Sequence, residues 1–440
     1  MTSYMQQFPL PNLSFSAMDQ ERIAKALNNT RVIWLSHVNK DPLGALNEAG
    51  LNGKPLVVAD ENTLNALQSN WGETEILSIP TMADATQTLA SEVQNKAAAT
   101  GAKYLVAVGT GTINDLCKFA STQLKIPYAV IPTGPTMNGF VSATASISID
   151  GVKHTLPATM PHSVLCDADL LARAPAYMFA AGFGDAIARF TAQTDWYMSH
   201  LMLETPYDPL PFALQAPLDE ELALSAAALG RGDPDAVKTL MNNLLVSGLS
   251  MVISGSSAPA SQSEHMIAHT LDLSPRSAQT RMHKILHGEQ IAITTLSMSL
   301  MQRIWLESPT KRWLWGDWKR RARDRYWAAP GKIAGYFGPQ RADEFTKEFN
   351  KKMVSDRSFE QLLGRFGDKW DTMRGQIEST VPRWTPRQLH QMLQAVGCKT
   401  NLGYVGWHAA QYNAAMRHAH FYRNRWTFLD LAYFFGPDRN

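Results

Sequence analysis

Two histidines stand four residues apart in SEHMIAHTLDL, His265 and His269, and two more in RMHKILHGEQ, His283 and His287. Four residues is about one turn of α-helix, so the members of each pair share a face. A neutral imidazole is a ligand for zinc, iron or nickel, and it titrates near neutral pH. Asp185, in AAGFGDAIARF, adds a carboxylate at the start of a helical pattern. One Asp and two His from three separate helices would hold a divalent cation with at least one coordination position open. The spacing does not choose among the four histidines. The chain has 12 in all, so a pair four apart also fits two polar residues at the edge of a core.

A second stretch, AVGTGTINDLCKFA at 107–120, ends an apolar strand in Gly109, Thr110, Gly111 and Thr112 and then starts a helix. Glycines there let the backbone approach a phosphate, and the free N–H groups of a helix start complement its charge. It is not the GxGxxG pattern, and it follows a late strand. In VVADENT, 57–63, Asp60 closes a strand. An acid there can accept hydrogen bonds from an adenosine ribose, which favours NAD over NADP. It can equally cap the helix that follows.

The elements that must position these residues change along the chain. Buried strands are predicted around 32–38, 55–60, 74–80, 103–111 and 126–134, with a helical pattern around 83–99 between them. That rhythm predicts a parallel sheet with helices on both faces. Residues 141–157 alternate small and β-branched residues around Asp150 and Gly151 and predict a hairpin. From about 172 the strand signal fades, and helical spacing runs through 178–204, 219–229, 235–253, 263–272 and 288–304. The expected fold class is an α/β N-terminal domain over 1–171 and an all-α domain over 172–440. A chain of 440 residues is also too long for one core.

The net charge of +2 gives no nucleic-acid footprint. KRWLWGDWKRRARDRYW, 311–327, concentrates basic and Trp residues, and is expected to be an amphipathic surface helix with its aromatics inward. No signal peptide and no membrane-spanning run is expected. Three scattered cysteines, Cys117, Cys166 and Cys398, fit a reducing cytoplasm.

Taken in order, VADENT, VGTGTINDLCKF, IPTGPTMNGFVSATASI, AAGFGDAIARFTAQTDWYMSH, SGLSMVISGSSAPASQSEHMIAH, LHGEQIAITTL and YRNRWTFLDLA resemble the iron-containing alcohol dehydrogenase and dehydroquinate synthase superfamily. Within it the resemblance is greatest to the sn-glycerol-1-phosphate dehydrogenase branch. The resemblance implies a dehydroquinate synthase-like fold, with a dinucleotide-binding domain, a helical metal-binding domain and the active site between them. It implies Asp185, His265 and His287 as metal ligands, with His269 facing the substrate. Gly109, Gly111, Thr112, Asn114 and Asp115 fall in the pyrophosphate loop. Thr133, Thr136 and Ser142 fall on the nicotinamide side.

Two positions depart from that pattern. Asn138 stands where an Asp contacting substrate is usual, and Ala258 stands where an Arg is usual in SSRPAS. The expected chemistry is hydride exchange between NAD(H) or NADP(H) and a small ketone or polyol, with one divalent metal that zinc, iron or nickel would satisfy. The first substrate expected is dihydroxyacetone phosphate with sn-glycerol 1-phosphate. The departures leave a different, unphosphorylated substrate open. A lyase or cyclase of the dehydroquinate synthase kind is the third reading, which Asp185 in place of Glu disfavours. Self-association is implied by the resemblance alone.

Overall fold

A computed structural model describes residues 8–69, 71–149, 152–273, 285–353, 356–381 and 384–437. The strands are β1 Arg31–Trp34, β2 Pro55–Ala59, β3 Glu75–Ser78, β4 Tyr104–Gly109, β5 Tyr128–Pro132, β6 Thr144–Ile149, β7 Val152–Pro157 and β8 Ser163–Cys166. The helices of the first half are α1 Ala17–Leu27, α2 Pro42–Glu48, α3 Glu61–Ala66, α4 Gln87–Thr100, α5 Gly111–Leu124 and α6 Ala168–Ala172. Those of the second are α7 Ala176–Leu203, α8 Leu210–Leu229, α9 Pro234–Ser254, α10 Ser263–Asp272, α11 His287–Glu307, α12 Trp318–Phe337, α13 Pro339–Lys352, α14 Asp356–Thr380, α15 Pro386–Val396, α16 Ala409–His418 and α17 Phe428–Phe435.

Six strands form one parallel sheet in the order β1-β8-β5-β4-β2-β3, and β6 pairs with β7 antiparallel as the expected hairpin. The hairpin's Asp150 and Gly151 lie outside the described residues. All five expected strands form. β8, SVLC, was not expected: four residues without alternation give no periodic signal. It inserts between β1 and β5. Every residue of β2, β4, β5 and β8 is buried, as strands covered on both faces require. Because β5, β4 and β2 are adjacent and parallel, the turns after them open side by side at one edge of the sheet.

One sheet face packs Val57, Val106, Ile131 and Leu165 against Ala45 and Leu46 of α2. The other packs Leu56, Leu105 and Val130 against α4 and α5, and that core continues into α7, α8 and α9. A second, aromatic core that includes Trp370, Phe366 and Trp426 joins α10, α12, α13, α14, α16 and α17 to α7 and α11.

The sequence 311–327 is divided between the core and solvent. Trp313 stacks on Trp305 with centroids 3.9 Å apart, and Trp318 meets Phe366 edge-on. Trp315 and Trp327 face outward, with Arg321 lying over Trp315 at 3.7 Å. The expectation that no segment could span a bilayer needs correction. α9 is long and apolar enough by length and composition, but 67% of that stretch is buried inside the fold. Its apolarity serves its packing with α6, α7 and α8.

Candidate metal and nucleotide site

α7 and α11 bring the acid and one histidine together because small residues let their backbones touch. A methyl group on Gly288 would overlap the Ala181 carbonyl oxygen, and one on Gly184 would overlap the Gly288 carbonyl oxygen. Asp185 follows Gly184, and His287 precedes Gly288. Glu289 caps the start of α11 by accepting from the Leu286 N–H at 2.9 Å, and its other oxygen accepts from the Tyr404 hydroxyl at 2.8 Å. α10 is fixed from α7: Asp195 accepts from the backbone N–H and hydroxyl of Ser263 at the head of α10.

One ligand atom from each of Asp185, His265 and His287 lies within 4.8 Å of the others. His265 Nε2 is 3.6 Å from Asp185 Oδ1, and its Nδ1 is 2.9 Å from Glu264 Oε1. Asp185 Oδ2 accepts from the Asn138 N–H at 2.7 Å. Asp185 Oδ1 is buried and has no hydrogen-bond partner. A buried carboxylate oxygen without a donor, facing two imidazoles, fits a cation; without one it is costly to bury. Burial pushes the His265 imidazole down, but the carboxylates of Asp185 and Glu264 beside it outweigh that and raise it. His287 is pushed down to about 4 by burial and by the charge of His265.

His269 stands outside this trio. Its ring stacks on His287 with centroids 5.1 Å apart and on Tyr422 at 5.6 Å. Burial first, then the charges of Arg423 and its fellow histidines, hold it well below its ordinary value. His283 lies outside the described residues.

The nucleotide candidates gather at the open edge of the sheet. Thr110 precedes α5 without a side-chain capping bond, so the first-turn N–H groups of Gly111 and Thr112 face no cap. That fits a pyrophosphate. Asp60 does cap α3, accepting from Thr63 N–H at 2.8 Å. It sits beside the glycine turn, with this capping bond occupying Oδ1. Thr133 and Thr136 are buried after β5, and the Thr133 hydroxyl is unpartnered. Other candidates hold the frame together. Thr112 donates to Ala83 O at 3.2 Å, and Asn114 Nδ2 approaches Gly139 O at 3.5 Å. Asp115 accepts from the Ser146 N–H at 3.3 Å, and burial raises it to about 6. The Ser142 hydroxyl is bonded to Lys118 and to the carbonyls of Gly139 and Thr144.

Sequence reasoning missed two residues here. Glu264 is fully buried and orients His265. Lys118, also fully buried, donates to Gly139 O at 2.6 Å, Ser142 Oγ at 3.0 Å and Thr144 O at 3.1 Å. It ties α5 to the loop after β5. Its signal was a lysine on the apolar face of LCKFA, three residues after Asp115.

A parallel sheet with a glycine turn at its carboxyl edge, facing an Asp/His/His cluster on helices, defines a nucleotide-and-metal oxidoreductase class. The chain belongs to the iron-containing alcohol dehydrogenase family, which residues 42–175 match. Glycerol-1-phosphate dehydrogenase (NAD(P)+) of Methanosarcina acetivorans is 30% identical over 284 residues, 62% of this chain and 77% of that protein. Its counterpart of the same name from Geobacillus thermodenitrificans is 36% identical over 190 residues, 43% of this chain and 46% of that protein. The chain thus spans about half the length of that relative. The solved iron-containing alcohol dehydrogenase of Corynebacterium glutamicum has the same fold, with a TM-score of 0.57 over 93% of this chain and 96% of that one, at 15% identity.

Proposed function

We propose that this protein is a metal-dependent NAD(P) oxidoreductase that interconverts dihydroxyacetone phosphate and sn-glycerol 1-phosphate. The observation that carries the reading is the convergence of Asp185, His265 and His287 beside the loop after β5. The names of its relatives support the substrate. We assign Asp185, His265 and His287 as the metal ligands, with zinc the cation proposed. The 109–115 turn with Thr133 and Thr136 binds the nucleotide. Residues 1–171 and 172–440 act as its two domains, and the protein works in the cytoplasm as a homo-oligomer.

When bound, the metal supplies Lewis acidity toward the substrate oxygen and NAD(P) takes up or gives the hydride. The chain's own residues do the rest. Glu264 holds the His265 Nδ1 proton, which leaves Nε2 directed at Asp185. The Asn138 N–H fixes Asp185 and couples it to the nucleotide side of the cleft. His269, kept neutral, can accept a proton from an alcohol or donate a hydrogen bond to a ketone oxygen.

The test is the absorbance of NADH and NADPH with dihydroxyacetone phosphate, with and without added zinc, after chelator treatment. Net oxidation that depends on metal is expected. Product without net cofactor change, or no reaction, would refute the reading. Ala258 and Asn138 favour one alternative, the same hydride transfer on an unphosphorylated ketone, which the same assay with a ketone panel detects.

A further inference from the structure

The segment between α16 and α17 returns to the site from the far end of the chain. Tyr422 stacks on His269, and the next residue, Arg423, donates from Nη1 to Ser261 Oγ at 3.2 Å. Arg425 donates to the Ser261 carbonyl and to Ser257 Oγ, the latter at 2.8 Å. Both guanidiniums therefore grip the 257–261 turn that leads into α10, the helix of His265 and His269.

Their electrostatic situation is unusual. Neither Arg423 nor Arg425 forms an ion pair among the described residues, and burial together with the charge of Arg423 pushes the Arg425 guanidinium down. The carboxylate nearest in effect, Glu264, is already taken by His265, the Gln262 N–H and Thr191. Arg425 spends its donors on the turn. Arg423 makes one hydrogen bond to protein, although a guanidinium carries five N–H donors. It is half-buried rather than closed off. Lys153, on β7, adds a second positive charge felt by both His269 and His287. Ala258, within the gripped turn, contributes no side-chain donor.

A half-buried cation with spare donors, one side chain away from the ring beside the metal trio, is suited to an anion carried by the substrate. We propose that Arg423 binds the phosphate of the substrate and selects phosphorylated over unphosphorylated ketones. This rests on the reading that the cleft takes a ketone or alcohol. It makes the C-terminal segment part of the substrate pocket rather than packing alone.

The experiment compares wild type, Arg423→Gln and Arg423→Lys on two substrates, dihydroxyacetone phosphate and dihydroxyacetone, using zinc-loaded enzyme. Binding of inorganic phosphate is followed by calorimetry with NAD(P)+ saturating, so that the 109–115 turn is occupied. Loss of a charge-assisted pair of hydrogen bonds corresponds to about 100-fold. The ratio of kcat/KM for the phosphorylated over the unphosphorylated ketone should fall by about that factor in Arg423→Gln and by less in Arg423→Lys. Phosphate binding should weaken in parallel. An unchanged ratio, or phosphate binding that ignores the substitution, overturns the proposal even if wild type reduces dihydroxyacetone phosphate. If wild type is inert toward that ketone yet binds phosphate through Arg423, the functional reading falls and the anion site stands.

Discussion

His265 can serve as a ligand only in one tautomer and one orientation, and a single neighbouring carboxylate sets both. With Nδ1 held 2.9 Å from Glu264, the proton stays on that side and Nε2 is left for Asp185 and a cation. Glu264→Gln should weaken zinc binding about 10–100-fold, read by competition against a chromogenic chelator. Equal affinity in the variant would show that the carboxylate does not orient the ring. Replacing His265 or His287 by Ala should remove bound metal and turnover together, as measured by metal analysis and the NAD(P)H assay. Spacing alone left four histidines open, because which of them converge depends on where separate helices cross; the family resemblance pointed to His265 and His287. Glu264 was illegible for another reason: an acid in the first turn of a helix is ordinary for favouring the helix dipole. Lys118 acts at the same scale. Its ammonium group carries three hydrogen bonds that hold the loop of Thr133 and Thr136 against α5. Lys118→Met should raise the KM for the nucleotide about tenfold with a smaller change in kcat. A change confined to kcat would contradict that positioning role.

At the level of elements, the site is a product of how closely α7 and α11 approach. Gly184 and Gly288 each occupy space that a methyl group would share with a carbonyl oxygen of the other helix. Gly288→Ala should therefore force the helices apart, destabilise the protein by roughly 3 kcal/mol and loosen zinc binding. Urea unfolding and the chelator competition check this, and an unshifted midpoint would mean that the contact tolerates more than the geometry allows. Periodicity placed α7, α9, α10 and α11 to within a few residues and the rhythm of strands predicted the parallel sheet, but α8 begins at Leu210, well before the expected 219. The glycines in AAGFGDAIARF and LHGEQ were visible as letters, but their purpose was not, since a helix interior normally disfavours glycine and nothing local says what lies opposite. β8 was missed on similar grounds. It is defined by its neighbours β1 and β5, both distant in sequence.

Across the whole molecule, the C-terminal third is what the sequence left least explained, and the structure gives it a mechanical role. Trp426, Phe428, Phe434 and Phe435 close the second core, and Asp195 on α7 accepts from the Phe428 N–H at 2.9 Å. The segment carrying Tyr422 and Arg423 is thus clamped at both sides of the site. A buried ion pair secures it: Lys352 Nζ lies 2.6 Å from Asp430 Oδ1 and also donates to the His420 carbonyl. Asp430 in turn accepts from the Thr427 N–H at 2.8 Å. Burial pushes the lysine down and the aspartate up, against their mutual attraction. Removing one partner strands the other's charge in the core, at a cost of about 3–5 kcal/mol, whereas removing both together exchanges the pair for apolar packing. Lys352→Met should therefore lower the urea midpoint sharply, and adding Asp430→Leu should recover part of the loss despite deleting a second side chain. If the double variant is as unstable as the sum of the single ones, the two groups do not act as a pair, and the segment that delivers Arg423 to the cleft is held by its aromatic packing alone.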